Sequence, residues 1–322
     1  MKTNKLLYIL LCIPFLVFSV SSCAKKNTDK KEIAVIVKAL DSDFWHSVKN
    51  GVESAATEYN ISVTFEGPEN EEDYVNQNKL IMSAVKRKAD AIVLSAIDFE
   101  KSADAVNEAA AAGIKVIAID SNVNSENVSM FIGTDNVSAG HKAGEAVIGC
   151  FPNGEEINVG LINYYKSTEN GIQREQGFRE FIDGIENARI TASVNVNSNT
   201  ESVTSAAAAL LEENPQINAL VGFNEWMTLG IGNAIKRLDL SGKVYGIGFD
   251  TNIVSIGMLE TGEIDTLIVQ NPFAIGYLGV KSAAELISGE NASQKELYTE
   301  AVTVNKDNLF DKDIQKLVFR FN

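Results

Sequence analysis

Two rhythms of apolar residues alternate along this chain. Short runs rich in Val and Ile are separated by longer stretches in which apolar residues return every three or four positions. The run 33–37 (Ile-Ala-Val-Ile-Val) predicts a buried strand by its length and β-branching. Over 43–59, Phe44, Val48, Val52, Ala55 and Tyr59 share one helical face. The alternation continues with strands at 61–65, 91–94 and 116–119 and helices at 72–88 and 99–112. Gly113 is suited to end the last of these helices, because it tolerates the left-handed backbone a helix stop needs. Strand-helix-strand alternation predicts a parallel sheet with helices on both faces.

The pattern then repeats. Strands are predicted at 157–162, 190–196, 219–223 and 244–249, with helices at 171–184, 200–213 and 227–238. From Ile33 to Ala91 is 58 positions, and from Ile157 to Ala219 is 62; Ala91 to Val116 and Ala219 to Val244 are both 25. The predicted fold is therefore α/β, with two doubly wound, Rossmann-like lobes rather than a solenoid. Ligands of such sheets sit beyond the carboxyl ends of the strands. Those ends here are polar: 41–45 (DSDFW), 95–98 (SAID), 120–122 (DSN), 163–165 (NYY), 224–226 (NEW) and 250–252 (DTN). Two facing lobes would gather them into one interlobe cleft. Asp120 and Asp250 hold matching places in the two repeats. Adjacent Phe44 and Trp45 cannot both point inward from one regular element, so at least one is expected to face the cleft. The acidic stretch 69–73 reads as a solvated turn, and His46 as a solvated helix residue.

Composition narrows the chemistry. The formal charge is −15, and −17 once Lys2 and Lys5 are discounted. Such a surface argues against nucleic acid, whose phosphates require basic patches. Gly246-Ile247-Gly248 follows a strand but lacks the third glycine of a dinucleotide fingerprint. Only two histidines, His46 and His141, are present and no cysteine pair, so neither a metal site nor a cofactor is expected. No nucleophile-base-acid set stands out, which argues against an enzyme. Cys150 ends an apolar helical stretch and reads as a small packed side chain.

The N-terminus has its own pattern. Lys2 and Lys5 precede an apolar run over 6–20, which stops short of the roughly 20 residues of a membrane span. This reads as a secretory signal covering 1–22. Val20-Ser21-Ser22-Cys23 resembles the lipobox of bacterial lipoproteins, which implies cleavage before Cys23 and acylation of its thiol. Residues 23–31 are then the lipidated cysteine and a polar tether.

Seven motifs in order resemble the type I periplasmic binding proteins, in the ribose-binding-protein and LacI-like group. They are the strand-end loop closing on Phe44-Trp45, VIAID (116–120), GTDN (133–136), REQGF (174–178), FNEWMTLG (223–230), GIGFD (246–250) and IVQNPFAIG (268–276). The resemblance covers residues 32–305. It implies that Phe44 and Trp45 stack on a sugar ring, whose C–H face suits an aromatic side chain. It implies that Asp120, Arg174, Asn224, Asp250 and Gln270 bond the hydroxyls, with Ser42, Ser121 and Trp226 nearby. Ser121 and Ser198 stand where ribose binders of the family carry an arginine and an aromatic ring; Trp226 or Tyr165 is a candidate for the missing wall.

The resemblance also implies a three-stranded hinge near Thr134, Gln270 and Val302. The lobes become 32–134 plus 271–302 and 135–270 plus 303–322. The expected function is that of an exported, lipid-anchored, monomeric receptor. It captures a small sugar-like ligand by hinge closure and hands it to the permease of an ABC importer. The alternative is a receptor presenting a sugar or furanone signal to a chemoreceptor or sensor kinase. A LacI-like regulator would need a helix-turn-helix ahead of the core, where the export segment stands. A glycan-cleaving enzyme on the same fold is a further, disfavoured reading.

Overall fold

The computed structural model describes residues 30–291 and 294–319. The expected signal, the expected lipidation at Cys23 and most of the expected tether lie outside the described residues.

The first sheet holds β1 (Glu32–Ile36), β2 (Ser62–Glu66), β3 (Ala91–Leu94), β4 (Lys115–Ile119), β5 (Val128–Thr134) and β11 (Glu296–Thr299). Its order is β11-β5-β4-β3-β1-β2, and every pairing is parallel. The second holds β6 (Ile157–Asn163), β7 (Ala188–Asn195), β8 (Ala219–Gly222), β9 (Tyr245–Phe249), β10 (Thr266–Val269) and β12 (Val302–Asn305). Its order, β12-β10-β9-β8-β6-β7, is the same arrangement repeated. The one exception to parallel pairing is β12, which runs antiparallel to β10. The parallel-sheet expectation did not include it. β12 follows β11 after only Glu300 and Ala301, so it enters the second sheet heading the opposite way.

Helices cover both faces of each sheet. On the first lie α1 (Asp43–Glu58), α2 (Tyr74–Arg87), α3 (Ala103–Ala111) and, far later in sequence, α9 (Pro272–Ile287). On the second lie α4 (Asn136–Gly149), α5 (Glu169–Ile182), α6 (Thr200–Glu213), α7 (Glu225–Arg237) and α8 (Ile253–Thr261), with α10 (Lys312–Val318) adding Val318 to the core. Central strands such as β3 and β8 are buried along their whole length, which is why their sequences are unbroken apolar runs. Two separate apolar cores sandwich the first sheet, and one continuous core fills the second lobe.

Two close helix crossings fix where the cleft residues stand. A Cβ on Gly140 of α4 would lie 2.2 Å from the Arg174 carbonyl oxygen, and one on Gly177 of α5 would lie 2.1 Å from that of Val137. Only glycine lets the two backbones approach this far, and α5 carries Arg174. In the first lobe Gly51 of α1 and Gly276 of α9 make the same kind of contact, at 2.1 Å from Phe273 O and 2.2 Å from Val48 O.

The chain passes between the sheets after β5, after β10 and after β11. Two of these crossings are bonded to each other: Thr134 Oγ1 donates to Gln270 Oε1 at 2.9 Å.

Candidate functional site

Strand ends from both lobes converge on one cavity. Phe44, Trp45, Asp120, Arg174, Asn224, Asp250 and Gln270 all line it, as do Ser42 and Trp226. Ser121 does not. It is fully buried beside Asp120, and its hydroxyl has no partner.

Phe44 and Trp45 open α1, which Ser42 caps by accepting from the Trp45 backbone N–H. Both rings are buried, meeting edge to face at 5.0 Å, and both reach the cavity wall. The first turn of α1 thus spends two aromatics on the cleft. On the second-lobe side, Trp226 and Tyr164 line the cavity. Tyr165 turns away, donating its hydroxyl to Asp98 Oδ2 at 3.0 Å. His46 is solvent-exposed, as read from the sequence.

Asp120 and Asp250 follow β4 and β9, and neither caps a helix. Asp120 Oδ1 accepts from Asn170 Nδ2 at 3.1 Å and Oδ2 from Ser95 Oγ at 2.9 Å. Asp250 Oδ1 accepts from Gln270 Nε2 at 2.7 Å. Burial pushes the Asp250 carboxyl up to about 7, a rise that Arg174 and Gln270 only partly offset. Arg174 is 1% exposed and stacks over Phe249 at 4.8 Å. Its Nε donates to Asn136 Oδ1, its Nη1 to Phe223 O and its Nη2 to Gln270 Oε1, at 2.9, 2.7 and 2.7 Å. These bonds hold the fork rigid, with no salt bridge to a carboxylate among the described residues. Gln270 therefore joins the hinge, Arg174 and Asp250 in one network.

Five lining residues were not singled out from the sequence: Lys38, Glu71, Tyr164, Asn170 and Glu225. Lys38 Nζ lies 3.0 Å from Asp120 Oδ2 and 5.7 Å from the ring centres of both Trp45 and Tyr164. Burial alone would lower its pKa, but Asp120 and Glu71 outweigh that and raise it. The reading of 69–73 as a solvated turn is wrong for Glu71. Its carboxylate is buried and accepts from Trp45 Nε1 at 2.9 Å and, across the cleft, from Ser198 Oγ at 3.1 Å. The loop follows β2, an edge strand whose carboxyl end also opens on the cleft. Tyr164 donates to Asn170 Oδ1 at 2.6 Å, and burial pushes its hydroxyl up to about 12. Glu225 accepts from Asn252 Nδ2 at 2.7 Å and from the Phe44 backbone N–H at 3.2 Å, and burial raises its pKa. Tyr164 and Glu225 lay within polar strand ends visible in sequence. Lys38 had the same signal, a cation placed just past an apolar strand.

The lobes also touch directly at the cleft rim. Phe99 N–H donates to Ser167 O at 3.0 Å, Thr168 Oγ1 to Ile97 O at 2.8 Å and Ser198 N–H to Glu72 Oε1 at 2.7 Å.

The periplasmic binding protein domain matches residues 33–291, most of the chain. This protein belongs to the periplasmic binding protein family. It is 26% identical over 288 residues to the D-ribose/D-allose-binding protein of Pseudomonas aeruginosa, covering 87% of this chain and 88% of that one. A carbohydrate transporter solute-binding protein from Agrobacterium radiobacter, solved in complex with D-arabinose, superposes with a TM-score of 0.88 at 29% identity, covering 90% and 99% of the two chains. A sugar transporter from Clostridium phytofermentans is 34% identical at a TM-score of 0.79, covering 86% and 100%. Membership of this family makes the chain a binding protein rather than an enzyme and places it outside the cytoplasm.

Proposed function

We propose that this binding protein captures one monosaccharide in the interlobe cleft and delivers it to the permease of an ABC importer. The observation that carries the reading is the composition of the cleft wall. Phe44, Trp45, Tyr164 and Trp226 offer aromatic faces for ring C–H groups, while carboxylates, amides and a guanidinium from both lobes surround them. Each carboxylate or amide can take adjacent hydroxyls, and bonds to charged groups contribute about 1.5–3 kcal/mol each. Relatives named for D-ribose and D-allose, and a structural neighbour holding D-arabinose, support the same ligand class.

On this reading residues 32–134 and 271–302 close as one lobe, and 135–270 and 303–322 as the other. The receptor acts as a monomer, without cofactor, and is held to the membrane by acylation of Cys23. Metabolic labelling with a fatty acid tests the anchor: Cys23→Ala should abolish label and release the protein. A thermal-shift panel of pentoses, hexoses, polyols, nucleosides and amino acids tests the ligand. A sugar at 100 times its dissociation constant should add about 2.7 kcal/mol of stability. A shift with an amino acid or nucleoside and with no sugar would overturn the reading.

A further inference from the structure

The charges in the cleft wall do not balance, and the imbalance has a direction. Four carboxyl groups line the cavity, Glu71, Asp120, Glu225 and Asp250, against two cations, Lys38 and Arg174; with Asp250 holding its proton up to about pH 7, three remain against two below that pH. Lys38 is taken by Asp120 at 3.0 Å. Arg174 makes its three bonds to neutral oxygens. Among the described residues, Glu71, Glu225 and Asp250 thus have no Lys, Arg or His nitrogen within salt-bridge distance. Of these, Glu225 is engaged by Asn252 and by the Phe44 backbone, and Asp250 lies beside Arg174 and Gln270.

Glu71 is different. Its hydrogen-bond partners are neutral donors, Trp45 Nε1, Ser198 Oγ and, at 3.4 Å, Asn224 Nδ2, and Lys38, bonded to Asp120, acts on it through the field without a contact. Those donors come from both lobes, so the carboxylate is held at the closing seam rather than free to swing out. It is 7% exposed. A fixed negative group in a dry wall repels an anion strongly and accepts hydroxyl or ammonium donors well. Specificity is a difference of affinities, and a repulsive group contributes as much to it as an attractive one.

We propose that the cleft selects its ligand by charge, taking neutral and amino sugars and rejecting sugar acids and sugar phosphates, and that Glu71 sets this selection. The inference rests on the reading of the cleft as a sugar site. It adds that the ligand carries no anionic group, and that a ligand ammonium is tolerated at the Glu71 end of the cleft.

The test is calorimetric titration of the intact protein with matched sugars. The sets are neutral aldohexose, 2-amino-2-deoxyhexose and hexuronate in the gluco, galacto and manno series, with D-ribose against D-ribose 5-phosphate. For whichever series binds, the anionic member should be weaker than the neutral one by about 100-fold or more, and the amino sugar should bind within about tenfold of its parent or more tightly. Glu71→Gln keeps the size and an acceptor for Trp45 but removes the charge. It should narrow the neutral-to-anionic ratio by about tenfold, while Glu71→Asp, which keeps the charge, should preserve it. A sugar acid or phosphate binding within threefold (about 0.6 kcal/mol) of its neutral parent would overturn the inference and leave the sugar reading standing. An unchanged ratio in Glu71→Gln would remove Glu71 from it. If the variants fail to fold, the wild-type ratios still decide the charge class. Silence toward every sugar, neutral ones included, would instead sink the sugar reading itself.

Discussion

Asp120 and Asp250 are one structural solution used twice. Each follows the last residue of its lobe's fourth strand in chain order, each has a left-handed backbone, with φ of 58° and 65°, and each donates its backbone N–H to the neighbouring strand, to Ile132 O and Ile268 O at 2.9 and 3.0 Å. The unusual φ turns the carboxylate out of the strand direction and into the cleft. Few residues accept that backbone; Asp and Asn are among the best of them after Gly. Asp120→Asn should therefore leave the backbone unstrained, its cost coming only from the loss of the buried partner of Lys38. Asp120→Val should cost an additional 1–2 kcal/mol or so in urea denaturation, because a β-branched residue is strained there.

Lys38 and Asp120 should be strongly coupled. Both are almost fully buried, so removing one leaves the other's charge without a partner. Lys38→Met should destabilise by about 3–5 kcal/mol. Adding Asp120→Asn should restore part of that loss, with a coupling energy of about 2 kcal/mol in a double-mutant cycle. Simple additivity would show that the pair is not an interacting unit.

The pH dependence of stability follows from Asp250. The native carboxyl holds its proton up to about pH 7, against a reference value of 3.8. The folded state therefore binds more protons than the unfolded chain in that window, and stability falls as pH rises from about 4 to 7. The size is of order 4 kcal/mol. Asp250→Asn should flatten the slope; thermal melts across this range check it. A wild-type slope that survives the substitution would assign it to other groups.

Gly140→Ala and Gly51→Ala form a matched pair. Each places a Cβ about 2 Å from a facing backbone carbonyl oxygen, Arg174 O in one case and Phe273 O in the other. Both should lose about 1–3 kcal/mol of stability. Gly140→Ala shifts α5 and with it Arg174, whereas Gly51→Ala shifts α1 and with it Phe44 and Trp45, so both should weaken ligand binding as well as stability. Unchanged affinity in Gly140→Ala would show that Arg174 placement is not sensitive to this crossing.

Much of this was legible in sequence because the information is local. The apolar run at 33–37 and its counterparts mark strands wherever both faces of the sheet are covered. The equal spacing of 25 residues in the two repeats put Asp120 and Asp250 in register before any coordinates. The signal weakens where partners are far apart along the chain. Lys38 meets Asp120 across 82 positions, and Glu71 meets Ser198 across 127. Nothing in an acidic stretch says which of its members folds inward. β12 was likewise invisible as an antiparallel strand, because its direction is set by the crossing that precedes it. The resemblance to known binders located the seven main lining residues, while their bond network, with Gln270 joining hinge to Asp250, came only from the fold.

The most direct measurement is calorimetric titration of the wild-type protein and of Asp250→Ala with the sugar that gives the largest thermal shift. The account predicts one saturable site per chain, recovery of the sugar chemically unchanged, and a loss of affinity of about 30-fold or more in the variant, with its fold intact. Equal affinity in wild type and variant would place the sugar outside this cleft and contradict the account.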